Sequence, residues 1–171
     1  NTQALFEQCI FFAFFLHTTD NVTDNVDEGA DTMDHNAKLL QSIYENAAMG
    51  KEALGGLIKR CEDANFRQVM AEQFAEYHEI QEEAEKLLEA AYLEPRQPFL
   101  LPLRKHMGLN LTIDRTSTHM AEMLMHGSLM GIVDIARDSR EYTAASEEVQ
   151  DLARKLLTTE ENNLRRLQKF L

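Results

Sequence analysis

Glu160 and Asn163 stand where a helix seam would place hydrophobic side chains. Apolar residues recur with helical period through Val149, Leu152 and Leu156. Thr159/Glu160 and Asn163 then interrupt the series before Leu167 and Phe170. A carboxylate on that seam must be hydrogen-bonded, ion-paired or metal-bound, because burying it alone is costly. Upstream, His119, Glu122 and His126 fall within about 60° of one another at helical spacing. Imidazole and carboxylate are metal ligands. One chemistry open to these residues is therefore a mononuclear iron, zinc or manganese site, built from His126 and Glu160 with Glu122 or His119. The other, and the favoured reading, is a buried polar layer of Gln73, Tyr77, His126, Glu160 and Asn163. There Glu160 accepts hydrogen bonds and fixes helix register, and His126 beside it would tend to stay protonated. The sequence contains no Ser-His-Asp or Cys-His arrangement and no phosphate loop, so hydrolase chemistry has no support.

Four long helical patterns must position these residues. Helix A spans about Asn36 to Glu62, with Leu40, Ile43, Ala47, Gly50, Leu54, Leu57 and Cys61 at alternating three- and four-residue steps. Gly55-Gly56 weakens it. Asp63 is placed to cap helix B, which runs to about Tyr92 with Phe66, Met70, Phe74, Tyr77, Ile80, Ala84, Leu87 and Ala91 inward. Glu72, Glu76, Glu79 and Glu83 form an acidic stripe beside that face, read as solvated. Pro95, Pro98 and Pro102 exclude a long helix from the next segment, although Leu103 to Leu111 has room for a short one. Ser117 suits the N-cap of helix C, Thr118 to about Glu141, and a turn near Tyr142 to Ala145 leads into helix D, which continues to Leu171.

Short A–B and C–D connections make each pair an antiparallel hairpin. The link from Leu93 to Thr116 is long enough to climb the bundle, and two hairpins joined by one crossover are the ferritin-like arrangement. An up-down-up-down bundle with a small fifth helix is the alternative. A C–D turn centred at Thr143 sets His126 level with Glu160, each 17 residues away, and Met123 level with Asn163. The crossover topology brings Gln73 to the same level. Helix C is apolar nearly all round, with Met123 and Met130 on one side and Ala121, Met125, Ser128, Ile132 and Ile135 on the other. Such a helix is central or is covered by a second subunit. Gly127 and Gly131 leave a flat patch for another helix.

His119 to Tyr142 (HMAEMLMHGSLMGIVDIARDSREY), Leu156 to Leu171 (LLTTEENNLRRLQKFL), Asn46 to Leu54 (NAAMGKEAL) and Glu76 to Leu88 (EYHEIQEEAEKLL) resemble a group of uncharacterised bacterial all-helical proteins. That group is loosely similar to ferritin-like bundles, and the resemblance covers Met33 to Leu171. It implies a ferritin-like fold and brings no activity with it. A ferritin-like dinuclear site needs a Glu from two helices and Glu-x-x-His from the other two. Here helix A has no carboxylate on its seam. Ala75 stands three before His78, and helix D offers Glu160-x-x-Asn163. The residues depart from the di-iron pattern.

The first 32 residues differ from the rest. They hold six acids, five of the nine Phe residues and no Lys or Arg. Cys9 to Leu16 is too short to span a bilayer and lacks a basic flank and a cleavage site. Asp27-Glu28-Gly29-Ala30 can be encoded with a bacterial ribosome-binding sequence just upstream of the Met33 codon. The expectation is a non-native or disordered extension at 1–32 and a bundle domain at 33–171. Removing the six acids takes the formal net charge from −12 to −6.

A strongly acidic chain without a Lys/Arg cluster is not expected to bind nucleic acid, and no stretch is long enough for a membrane span. Two cysteines make neither a disulfide framework nor a metal motif. The expected protein is an all-α, ferritin-like four-helix bundle, cytoplasmic and self-associating through helix C, with a non-enzymatic role. A metal-binding storage or redox protein is the first alternative. A module that binds a partner protein through the Met-rich face of helix C is the second.

Overall fold

The computed structural model describes residues 28–98 and 116–171, and these form an all-helical bundle of four long helices. Helix α1 spans Glu28–Ile58, α2 Ala64–Ala90, α3 Ser117–Glu141 and α4 Glu147–Leu167; a single 3-10 turn, Gln168–Phe170, closes the chain. No described helix is long and apolar enough to cross a membrane. The expected short helix at Leu103 to Leu111 lies outside the described residues, as does the apolar run Cys9 to Leu16.

Helix α1 begins five residues before Met33, and its first turns are exposed or half-buried until Leu39 enters the core. It runs through Gly55-Gly56 and stops where Arg60 N and Cys61 N both donate to Leu57 O. Asp63 caps α2 as its spacing predicts: one carboxylate oxygen accepts from Asn65 N (2.8 Å) and Phe66 N (3.0 Å). The bond from Phe66 N holds this carboxyl below its usual range. At the other end of α2, Leu93 N donates to Leu88 O and Tyr92 N to Glu89 O, the paired bonds of a Schellman motif. Tyr92 holds the left-handed position there, with φ 59°.

The cap of α3 is Thr116, not Ser117: the Thr116 hydroxyl accepts from His119 N, while Ser117 Oγ donates across to Asp63. Ser146 caps α4 through Val149 N. Each of these helices thus starts on a side chain that satisfies an otherwise orphaned amide.

Contacts between hairpins fix helix direction. His35 Nδ1 and Asn36 Oδ1, near the start of α1, accept from Ala144 N and Ser146 N, beyond the end of α3. Ser117, at the start of α3, meets Asp63 at the start of α2. Helices α1 and α3 therefore run antiparallel, and α2 and α3 begin at the same pole. Past α2 the chain returns along α1, where Gln41 exchanges two hydrogen bonds with the Arg96 backbone and Gln97 Nε2 donates to the Tyr44 hydroxyl. The core joins the seam of α1 to Phe66, Met70, Tyr77, Ile80 and Ala84 of α2, Met120, Ala121 and Ile135 of α3, and Val149, Leu152, Leu156 and Leu167 of α4.

Candidate functional site

The polar interruption on α4 is inside the bundle. Glu160 is 2% exposed and Asn163 is fully buried. The Tyr77 hydroxyl donates to Glu160 Oε2 at 2.6 Å, across 83 residues of chain. A second hydroxyl, Ser128 on α3, is buried close enough to Glu160 to favour its charged form. Helix α1 completes the layer with buried Asn46, which fills the space beside Gly131 together with Glu160. A Cβ on Gly131 would lie 3.0 Å from Asn46 and from Glu160 Oε1. All four helices contribute to one polar level.

Burial drives the electrostatics of this layer. It pushes the Glu160 carboxyl up to about 7, because the charged form loses its water; the hydroxyls of Tyr77 and Ser128 oppose that rise. Burial, then the neighbouring Glu160 carboxylate, pushes the Tyr77 phenol well above its ordinary value, so it remains a donor. Asn163 takes a bond from Arg166, which also reaches Glu76 and Glu72 on α2. Gln73 is buried in α2, and its amide nitrogen, like that of Asn163, has no hydrogen-bond partner among the described residues.

Of the residues expected in one layer, Gln73, Tyr77, Glu160 and Asn163 are buried and His126 is not. It is exposed, and Ser128 takes the place expected of it. The cause is the C–D turn. Helix α3 ends at Glu141 and α4 starts at Glu147, so the hairpin centres on Ala144, not Thr143. Moving that centre by one residue moves the facing partner by two, from His126 to Ser128. Two residues are about 200° of helix, enough to turn the side chain from outside to inside.

The metal set Glu122, His126, Glu160 and His119 is not gathered either. Glu122 and His126 are exposed on the outer side of α3, where His119 Nδ1 lies 3.9 Å from Glu122, while Glu160 is inside. Among the described residues, no three His, Cys, Asp or Glu side chains group as metal ligands. The acidic stripe of α2 is largely exposed and also pairs with α4. Lys155 bridges Glu79 (2.9 Å) and Glu83 (2.7 Å), and Arg166 serves Glu72 and Glu76. Beside Lys155, a groove of about 340 Å³ opens to solvent between Glu83, Lys86 and Leu87 of α2 and Glu148, Asp151 and Leu152 of α4.

Sequence reasoning read Gly131, though not Gly127, correctly as a place of close helix approach, but it missed Asn46, Ser128 and the fit of Gly50 to the Tyr77 ring. Their signal was present as small or polar residues at seam spacing, Ala121, Ser128, Gly131 and Ile135 on α3. Gly131 is a close-approach site within the chain: Asn46 of α1, not a second subunit, occupies the space it leaves. No family model matches this chain, and no curated protein is significantly similar to it.

Proposed function

We propose that this chain is a ferritin-like bundle, two antiparallel hairpins joined by a long crossover, that acts as a non-enzymatic, self-associating helical protein of the bacterial cytoplasm. The Glu160 layer sets the register of its helices. The Tyr77–Glu160 hydrogen bond carries the reading, because the carboxyl group is answered by the hydroxyls of Tyr77 and Ser128 and, among the described residues, no cluster of acids or imidazoles forms around it. Neutral donors around a single buried acid suit a structural network; a metal site needs several imidazole or carboxylate groups converging on one point. The directions of α1, α2 and α3 support the crossover topology, since α2 ends at one pole and α3 starts at the other.

Elemental analysis of the untagged protein, before and after incubation with iron, zinc or manganese, tests this. The expected result is no stoichiometric metal. Tight metal at stoichiometric level that disappears in Glu160→Ala would replace the structural reading with the metal-binding one. The competing docking module for a different protein predicts a chain that stays monomeric by itself.

A further inference from the structure

The outer face of α3 carries a second stripe that the other described helices leave exposed. Glu122, His126, Leu129, Val133, Ala136 and Arg140 follow one another at alternating steps of four and three residues. On an α-helix these positions fall in a stripe about 80° wide. Leu129 is 49% exposed and Val133 63%; Glu122, His126 and Arg140 are also exposed, and Ala136 is half-buried. Among the described residues, Leu129 and Val133 are the exposed large hydrophobics that sit one turn apart on a single helix face.

We propose that this stripe is a twofold interface on which a second copy of the chain packs its own α3 antiparallel. The order of residues along the stripe supports that occupant. Leu129 and Val133 each lie two residues from Gly131, His126 and Ala136 each lie five, and Glu122 and Arg140 each lie nine. An antiparallel pair centred on Gly131 therefore sets Leu129 against the partner's Val133 and His126 against the partner's Ala136. It also sets Glu122 against the partner's Arg140, twice over by symmetry. A parallel pair would set carboxylate on carboxylate and guanidinium on guanidinium. Opposite charges equidistant from an apolar centre are what a self-complementary surface requires, and an unrelated partner imposes no such symmetry.

The two charged groups are also available. Arg140 makes no ion pair among the described residues, whereas its neighbour Arg137 is held by Asp134 and Asp138. Glu122 has only the 3.9 Å approach of His119. From Glu122 to Arg140 the stripe is about 27 Å long, and two helices packed along it bury on the order of 1,000 Å² in total. That is the lower bound for a specific interface, so the dimer dissociates on dilution.

This inference rests on the self-associating reading above, and the experiment separates the two. Sedimentation velocity across a wide concentration range is measured for the native chain, for Glu122→Arg, for Arg140→Glu and for the double reversal. Helicity by circular dichroism confirms that these exposed variants fold. The expected result is a monomer–dimer equilibrium weakened about tenfold or more by either single reversal and restored by the double. Leu129→Glu abolishes it. A monomer at every concentration overturns both the self-associating reading and this surface. A dimer indifferent to the single reversals, or one the double reversal fails to restore, overturns this surface and leaves self-association standing.

Discussion

Gly50 and Tyr77 fit together so closely that a Cβ on the glycine would lie 2.9 Å from two atoms of the tyrosine ring. Helix α1 thus gives up a side chain where the ring passes on its way to Glu160. Glycine in mid-helix costs about 1 kcal/mol relative to alanine, so Gly50→Ala would be stabilising by propensity alone. The ring is buried and tied to Glu160 at 2.6 Å, and it cannot move without stretching that bond. Overpacking of this kind costs about 1–3 kcal/mol. Gly50→Ala is expected to lower the denaturant midpoint, and Gly50→Ala in a Tyr77→Ala background to lose less. An unchanged or raised midpoint for the single variant would mean that the ring has room.

Glu160 makes stability depend on pH with an unusual sign. Its folded value is about 7 and its ordinary value 4.5. Between those limits the folded chain keeps a proton that the unfolded chain has released. Stability from this group is full below about pH 4.5 and declines as pH rises through about 7, by roughly 3 kcal/mol. Glu160→Gln cannot release the proton. Its stability relative to the native chain should rise between pH 5 and about pH 7 and level off by pH 8, read by chemical denaturation at each pH. Parallel pH profiles for the two proteins would remove the argument.

Tyr92 holds the left-handed end position of α2 with its side chain 98% exposed. A non-glycine residue pays about 1–2 kcal/mol there, and nothing in the packing compensates. Tyr92→Gly keeps both closing bonds, Leu93 N to Leu88 O and Tyr92 N to Glu89 O. Thermal unfolding should shift upward, corresponding to about 1 kcal/mol. A downward shift would show that the tyrosine makes a stabilising contact.

The two cross-helix cations should behave differently. Lys155 reaches Glu79 and Glu83 in the open, so Lys155→Met should cost less than about 1 kcal/mol and the loss should fade with added salt. Arg166 also donates to the buried Asn163. Arg166→Met strands that amide oxygen and should cost about 1–2 kcal/mol at any ionic strength. Equal, salt-sensitive losses would contradict the separate role of Asn163.

Much of the bundle was legible because three helices are one-sided. The seam of α1 runs as its spacing predicts from Leu40 to Leu57, although the helix stops at Ile58, short of the expected Glu62, and leaves buried Cys61 in the turn; Asp63 caps α2 as expected. On α4 the polar residues Glu160 and Asn163 stood out against a clean apolar period and are buried as read. Helix α3 was harder. With apolar residues on every side, its period could not decide between His126 and Ser128, and a one-residue error in the turn then selected the wrong one. The small residues Ser128 and Gly131 were the better guide, since close approach of α1 requires them. Asn46 was hidden for another reason: an amide on an otherwise ordinary helix declares its role only when its partners on other helices are known.

The contacts that fix helix direction have one more consequence. The start of α3 ties to the cap of α2 through Ser117 and Asp63, while residues His35 and Asn36 of α1 hold the amides that precede α4. Each hairpin therefore finishes a bend belonging to the other. If the chain were severed between residues 98 and 116, neither half would hold all the groups that close its own turn. The halves would complete one another only on meeting, which makes this bundle a natural candidate for division into a complementing pair.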